Sequence, residues 1–170
     1  ADTILVPLGG DLHLITLTNS GPVAKQLTHS DAFEYDARIS PRGTFVSFVR
    51  DGAVYAIEVT TGKETRLTPE ADPGRAVSYG VAEFVAQEEM DRDTGQWWAP
   101  GDGRIAVARV DNRPVGVVTR AAIGADGTEV YDQRYPAAGT PNAIVDLYVM
   151  NPDGSDRVKV DMGDNSDIYL

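Results

Sequence analysis

Two adjacent carboxylates, Glu88 and Glu89, form the most chemically suggestive pair of side chains in the sequence. They lie in the run GVAEFVAQEEMDRDTGQWWAP (80–100) after an apolar segment, 81–86, so at least one is expected to point inward, where it would need a cationic partner. A carboxylate pair can bind a primary ammonium group, because each oxygen accepts a charge-assisted hydrogen bond that contributes about 1.5–3 kcal/mol where water is partly excluded. The alternative is a solvated acidic turn, since glutamate is rarely buried.

Composition limits the partners of the chain. The sequence has 170 residues, of which 42% are hydrophobic, and its 15 Lys and Arg against 26 Asp and Glu give a net charge of −11. This charge disfavours nucleic acid and anionic membrane as main partners and favours a cationic ligand group. Without cysteine the chain has neither a disulfide framework nor a Cys-ligated metal. No apolar run approaches the roughly 20 residues of a membrane span and no signal-peptide pattern begins the chain, so we expect a soluble mature segment.

The sequence repeats a strand–turn–strand unit. The segments LHLITLTNSGPVAKQLT (12–28) and VYAIEVTTGKETRLT (54–68) each contain two alternating strands joined by a Gly-containing turn, and each ends in Leu-Thr. The terminal residues Thr28 and Thr68 are about 40 positions apart, close to the period of the four-stranded blades of a β-propeller. The spacing therefore predicts a repeat of blades.

A second repeated element marks an insertion. The segments ISPRGTFVSFVRDG (39–52) and WAPGDGRIAVARVD (98–111) share a Pro and Gly turn followed by an alternating strand. Their spacing exceeds the blade period, and the excess contains Glu88 and Glu89. Because repeat scaffolds take insertions in their loops, we expect a loop that carries a site, with one short helical turn near 86–90.

A further insertion, residues 115–139, is predicted to form a long projecting hairpin. Alternating segments at 117–122 and 128–135 flank a turn near 125–127. Two interpretations remain open, an ordinary elongated loop and an arm that pairs with another subunit, because exposed strand edges seek partners.

The C-terminal residues return to the blade pattern. A hairpin at 145–160 turns at Asn151-Pro152-Asp153-Gly154, and residues 167–170 begin a further strand. The chain is therefore predicted to be all-β, a partial β-propeller of about three to four antiparallel four-stranded blades. Closed propellers contain typically four to eight blades, so we expect the chain to be part of a larger propeller.

Four runs carry a family resemblance: EEM (88–90), DRDTG (91–95), WWAP (97–100) and RYPAAG (134–139) occur in this order. Over nearly its whole length the chain resembles the N-terminal β-propeller of the dipeptidyl peptidase IV family, especially of its bacterial members. The resemblance implies that residues 1–170 are part of an eight-bladed N-terminal propeller. It also implies an α/β-hydrolase domain outside this chain, with the active site in the cavity between the two domains.

The same resemblance implies a function. Members of this family are serine exopeptidases that release Xaa-Pro or Xaa-Ala dipeptides from peptide N-termini, and Glu88 and Glu89 match the glutamate pair that binds the free α-amino group of the substrate. The 115–139 arm matches the arm used for homodimerisation, and a bacterial member is expected in the periplasm or outside the cell. The alternative is a non-catalytic β-propeller module that binds other proteins by its faces.

The chain lacks a serine protease triad of its own. It has no G-x-S-x-G nucleophile elbow, and its two histidines, His13 and His29, lie in or beside repeat strands near its start. We therefore expect no catalytic residue in this chain and no hydrolysis by the segment alone. No cofactor or metal is expected either, because the calcium-like run 91–95 has Gln96 where the sharp turn of a calcium loop requires glycine.

Overall fold

The computed structural model describes residues 3–71, 74, 76–165 and 167–170, which contain fourteen strands and one helix. The strands are β1 Thr3–Leu8, β2 Asp11–Thr18, β3 Gly21–Gln26, β4 Glu34–Ile39, β5 Phe45–Arg50, β6 Ala53–Glu58, β7 Glu64–Arg66, β8 Val77–Tyr79, β9 Gln96–Trp98, β10 Ile105–Asp111, β11 Val117–Gly124, β12 Gly127–Arg134, β13 Ile144–Met150 and β14 Val158–Lys159. The helix α1 spans Phe84–Glu89, so the predicted helical turn is present and begins earlier than position 86. In the described part of the chain, no helix is long and apolar enough to cross a membrane.

Four antiparallel sheets contain these strands. The first sheet is β1–β2–β3, the second is β4–β5–β6–β7, and β11–β12 forms the two-stranded arm. In the third sheet β14, β13 and β10 follow in order, and β8 and β9 both pair with the opposite edge of β10. The predicted all-β architecture is confirmed. The second sheet alone has four strands in simple order, and no sheet closes on itself within the described residues, so the number of four-stranded blades stays a prediction.

The repeated Leu-Thr ending has the same structural role in both hairpins. The backbone N–H of Leu12 in β2 donates to the hydroxyl of Thr28 at 2.8 Å, and the N–H of Val54 in β6 donates to that of Thr68 at 3.0 Å. Both threonines are buried. A hydroxyl thus satisfies a buried strand N–H at the point where the second strand of the hairpin has ended. The sequence repeat is therefore a structural repeat.

Two hydrophobic clusters lie between successive sheets. Leu12 and Leu14 of the first sheet pack with Val46, Phe48 and Ile57 of the second. The opposite face of the second sheet packs on the third sheet through a cluster of Val49, Val54, Ala56, Leu67, Tyr79, Ile105, Val107 and Met150. Because successive strand residues point to opposite faces, a sheet that is covered on both sides has apolar residues at consecutive positions, as β5 does.

Asp102 joins the second and third sheets through their turns. Its buried carboxylate accepts hydrogen bonds from the hydroxyl of Ser40 at 2.6 Å and from the backbone N–H groups of Arg42 at 3.0 Å and Thr44 at 3.2 Å. Burial disfavours the charged form, but these hydrogen bonds outweigh it and hold the pKa of Asp102 below its usual value. The Pro and Gly turn found in the sequence is thus a contact point between sheets.

The strand predicted at 167–170 is absent, which corrects the sequence interpretation. Asp167 and Tyr169 instead accept hydrogen bonds from the side-chain amide of Asn142, at 2.7 Å and 3.0 Å. A strand requires a hydrogen-bonded neighbour, and among the described residues no strand pairs with this segment.

Candidate ammonium-binding site

The insertion that carries the glutamate pair interrupts a strand. Strand β8 pairs with Arg109–Asp111 and β9 pairs with Ile105–Val107, so both lie on one line along β10, and the chain leaves that line opposite Ala108. The N–H of Gly80 donates to the carbonyl of Ala108 at 2.9 Å, and the N–H of Ala108 donates to the carbonyl of Gly95 at 2.7 Å. The expectation of an insertion in a loop was therefore wrong. Residues 80–95, called the 80–95 insertion below, begin and end inside a strand.

Both ends of the 80–95 insertion require glycine. Gly80 has a φ of +76°, and a Cβ atom there would overlap the side chain of Val54. A Cβ atom at Gly95 would lie 2.5 Å from the backbone N and O atoms of Val81. The two ends can approach each other and the core only because neither has a side chain. The sheet therefore fixes where the insertion leaves and where it returns.

Backbone hydrogen bonds tie the helix to the rest of the insertion. The N–H of Ala82 donates to the carbonyl of Asp93 at 3.0 Å, and the N–H of Arg92 donates to the carbonyl of Ala86 at 3.1 Å. Ala86 is completely buried and is the residue by which α1 packs on the core. The segment that follows the helix is thus hydrogen-bonded to the segment that precedes it, at Ala82, and to the helix itself, at Ala86.

Glu88 and Glu89 are the last two residues of α1, and both side chains are exposed. The expectation that at least one points inward is wrong: Ala86 is the buried residue of this short helix, and its last three residues, Gln87, Glu88 and Glu89, are all exposed. Neither carboxylate forms a hydrogen bond or ion pair with the described residues, and the last turn has no basic side chain. A helix C-terminus adds partial negative charge, so the local field favours a cation.

The inward carboxylate of this run is Glu83, which the sequence interpretation missed. Glu83 is buried, and its Oε2 lies 3.5 Å from Nη2 of Arg92. The same guanidinium donates through Nη1 to the carbonyl of Thr94 at 2.7 Å and lies 5.9 Å from the ring centroid of Trp97. A signal was available in the sequence: Glu83 stands among small and apolar residues, and Arg92 is the one cation of the run 80–100.

The tryptophan pair at the return of the insertion is divided between core and surface. The ring of Trp98 stacks on Phe45 with centroids 5.4 Å apart, and its indole N–H donates to Ser47 at 2.8 Å. Trp97 remains 36% exposed and faces Arg92. Because adjacent strand residues point to opposite faces, one tryptophan anchors β9 on the second sheet and the other faces the insertion.

The remaining residues singled out in the sequence do not join this site. His13 lies in β2, and His29 is exposed after β3. In the part of the chain that the structure describes, no group of three His, Asp or Glu side chains converges as metal ligands. Residues 91–95, which resemble a calcium loop weakly, form the return path of the insertion through the carbonyls of Asp93, Thr94 and Gly95.

The arm begins beside the helix. Strands β11 and β12 pair along their whole length, which confirms the predicted hairpin, and their residues are mostly exposed. At the base of the arm, the N–H of Tyr135 donates to Gly116 at 2.9 Å, and the Tyr135 ring meets Phe84 of α1 edge-on with centroids 5.3 Å apart. The helix that carries the glutamate pair thus packs against the base of the arm.

A network of ion pairs lies where β10 leads towards the arm. Asp111 is buried, pairs with Arg113, and is 3.0 Å from Nη2 of Arg109, which also contacts Asp146 at 3.1 Å. The hydrogen bond from Arg113 is the main cause that holds the pKa of Asp111 well below its usual value, against the opposing effect of burial. Asp111 is therefore ionised near neutral pH and fixes the start of the arm.

Comparison with known families identifies the chain. The family model for the dipeptidyl peptidase IV (DPP IV) N-terminal region matches residues 9–170. The chain belongs to this family. Among relatives of the dipeptidyl peptidase IV family, "Probable dipeptidyl-aminopeptidase B" of Phaeosphaeria nodorum is 31% identical, over 74% of this chain and 15% of its own length. The protein of the same name in Ajellomyces capsulatus is also 31% identical, with the same coverage.

A solved structure shows the same fold. The crystal structure of Porphyromonas gingivalis dipeptidyl peptidase 4 matches 98% of this chain and 24% of its own chain, with a TM-score of 0.76 and 20% sequence identity. The predicted membership of the dipeptidyl peptidase IV family is confirmed. The chain spans about 15% of the length of the curated relatives it matches.

Proposed function

We propose that this chain is the substrate-recognition part of a serine dipeptidyl peptidase, in which Glu88 and Glu89 bind the free α-ammonium group of a peptide substrate. The observation that carries the proposal is the position of the pair: two adjacent carboxylates without a partner among the described residues, at the end of a helix whose insertion is fixed at both ends by the sheet. The parent enzyme would release Xaa-Pro or Xaa-Ala dipeptides and carry its nucleophile in an α/β-hydrolase domain.

The chemistry of the pair fits an exopeptidase that counts two residues from a chain end. Such an enzyme must measure from the α-ammonium group, and a fixed carboxylate pair orients the peptide so that the carbonyl of its second residue meets the nucleophile. The two carboxylates repel each other, and a cation bound between them relieves this repulsion. A substrate with an acetylated N-terminus loses these charge-assisted bonds and should be refused.

The arm and the cellular setting belong to the same proposal. We propose that the exposed hairpin of the 115–139 arm pairs with a second copy of the parent enzyme, giving a homodimer, and that the enzyme works in the periplasm or outside the cell. The support for the arm contact is a two-stranded hairpin with exposed apolar side chains, among them Ile123, which is 85% exposed, and Val130, which is 66% exposed. Free strand edges of this kind are available for pairing.

The test uses the full-length parent enzyme. Glu88→Gln and Glu89→Gln keep the size of each side chain and remove its charge, so each should lower kcat/KM for an Xaa-Pro-nitroanilide by about thirty- to a thousandfold, which corresponds to about 2–4 kcal/mol. Asp93→Asn, which removes an exposed charge from the same insertion, is the matched control and should stay near wild type. Labelling of the serine by a small organophosphate should keep its rate in all variants. If both glutamine variants cleave the substrate as well as the parent, the ammonium-binding proposal is wrong.

A further inference from the structure

The one cation of the run 80–100 does not pair with Glu88 or Glu89, although it follows Glu89 by three positions. Arg92 is held by three other partners. These are the carboxylate of Glu83, 3.5 Å from Nη2, the carbonyl of Thr94, 2.7 Å from Nη1, and the ring of Trp97. The Arg92 side chain is only 18% exposed. Its guanidinium is therefore largely withdrawn from solvent, whereas Glu88 and Glu89 are exposed.

Glu83 supplies the charge that holds this guanidinium. Its side chain is 4% exposed, and Oε1 is buried without a hydrogen-bond partner in the described residues. A buried carboxylate is strongly unfavourable unless a cation accompanies it, and Arg92 is its one ion-pair partner among the described residues. Each of the two charges thus keeps the other in place.

We infer that Glu83 is a positioning residue that sequesters Arg92 and so keeps the Glu88–Glu89 pair open for an ammonium group. The inference rests on the proposed function of the pair. A guanidinium released from Glu83 would itself be a good ligand for two carboxylates, because its planar donors match carboxylate geometry. Since it belongs to the same insertion, its effective concentration would be on the order of millimolar. It would compete with the substrate for the pair.

The inference predicts an asymmetry between the two partners of the ion pair. In the full-length parent enzyme, Glu83→Gln releases Arg92 and should raise KM for an Xaa-Pro-nitroanilide, and Ki for the dipeptide Ala-Pro, by at least about tenfold. Arg92→Met breaks the same ion pair but removes the competitor, so both constants should stay within about threefold of wild type. The double variant Glu83→Gln/Arg92→Met should also return to that range. A purely structural ion pair would instead make the two single variants similarly defective.

Two further measurements keep the outcomes distinct. The rate of serine labelling by a small organophosphate should be unchanged in all three variants, since the nucleophile is not involved. Glu88→Gln/Glu89→Gln, measured beside them, tests the proposed function itself. If this variant loses Ala-Pro binding while Glu83→Gln does not, sequestration is wrong and the pair still binds the ammonium group. Equal losses in Glu83→Gln and Arg92→Met also overturn the inference. Should Glu83→Gln or Arg92→Met not fold, weak Ala-Pro binding by the folded double variant would overturn it as well.

Discussion

Replacement of Asp102 by Asn tests the contact that holds the second and third sheets together. The carboxylate accepts hydrogen bonds from Ser40, Arg42 and Thr44, which lie 58 to 62 positions away in the sequence. Asparagine has one acceptor oxygen, so its amide NH2 group would face a donor at the other position. A hydrogen bond to a charged group contributes about 1.5–3 kcal/mol, and an unpaired buried donor costs about 1–3 kcal/mol. We expect Asp102→Asn to weaken the contact by about 2–4 kcal/mol.

Hydrogen exchange measures this contact locally. The backbone N–H groups of Arg42 and Thr44 donate directly to the carboxylate, so peptides covering 40–45 report on it in the full-length parent. A loss of 2–4 kcal/mol in the free energy of local opening corresponds to about thirty- to a thousandfold faster exchange of these two amides. Peptides from the arm, 117–134, should exchange at an unchanged rate, because β11 and β12 pair with each other and not with the sheets that Asp102 joins.

Asp153→Asn is the matched control. Asp153 also accepts hydrogen bonds from a backbone N–H and a hydroxyl, both of Ser155, at 2.9 Å and 2.6 Å, but it is exposed and its partner is two positions away. Water can replace such contacts, so exchange in the second sheet should not change. Unaltered exchange at 40–45 in Asp102→Asn would refute the reasoning that this carboxylate fastens the two sheets.

Three further outcomes follow from the structure. Thr68→Val leaves the buried N–H of Val54 without its acceptor and should destabilise the propeller by about 1–3 kcal/mol in urea denaturation, whereas Thr68→Ser should be close to wild type. The pKa of Asp111 is lower in the folded state than in the unfolded chain, so the ionised carboxylate stabilises the fold fully above the unfolded pKa of about 4, and this stabilisation is lost progressively as the pH falls below that value. Asp111→Asn should therefore lower the thermal midpoint more at pH 7 than at pH 3. Deletion of 117–134 with a short Gly linker should convert the proposed dimer into a monomer in light scattering, with the exchange of β5 unchanged; an unchanged dimer would place the interface elsewhere.

The sequence predicted the sheets well because their signals are local. The alternating segments and the Gly-containing turns mark hairpins, and the two Leu-Thr endings recur because each hydroxyl accepts from a neighbouring strand of its own hairpin. The strand expected at 167–170 failed for a non-local reason. Alternation shows that a segment can form a strand, but pairing requires a neighbouring strand, and none of the described strands lies beside this segment; the hydrogen bonds from Asn142 reach only the side chains of Asp167 and Tyr169.

The site was predicted less completely, again for a physical reason. Glu88 and Glu89 could be singled out because two adjacent acids are visible in the sequence itself, and their role as the site stays a prediction. Which carboxylate is buried depends on how the insertion leaves and rejoins the edge of β10. That path is set by the close approach of Gly80 to Val54 and of Gly95 to Val81. A contact between residues nine positions apart, such as that of Glu83 with Arg92, follows no helix or strand period.

The interruption of a strand explains how so short a helix can hold the proposed site in place. A helix of six residues has too few internal hydrogen bonds to be stable alone, so its orientation must come from its connections. In a loop insertion those connections share the mobility of the loop. Here Gly80 and Gly95 are hydrogen-bonded to the backbone of the same residue of a central strand, Ala108, and they are also hydrogen-bonded to each other. The rigid sheet therefore fixes both ends of the 80–95 insertion, and the contact of Phe84 with Tyr135 restrains one side of α1. With the backbone of α1 restrained in this way, the proposed carboxylate pair has less conformational freedom to lose when it orients a flexible peptide.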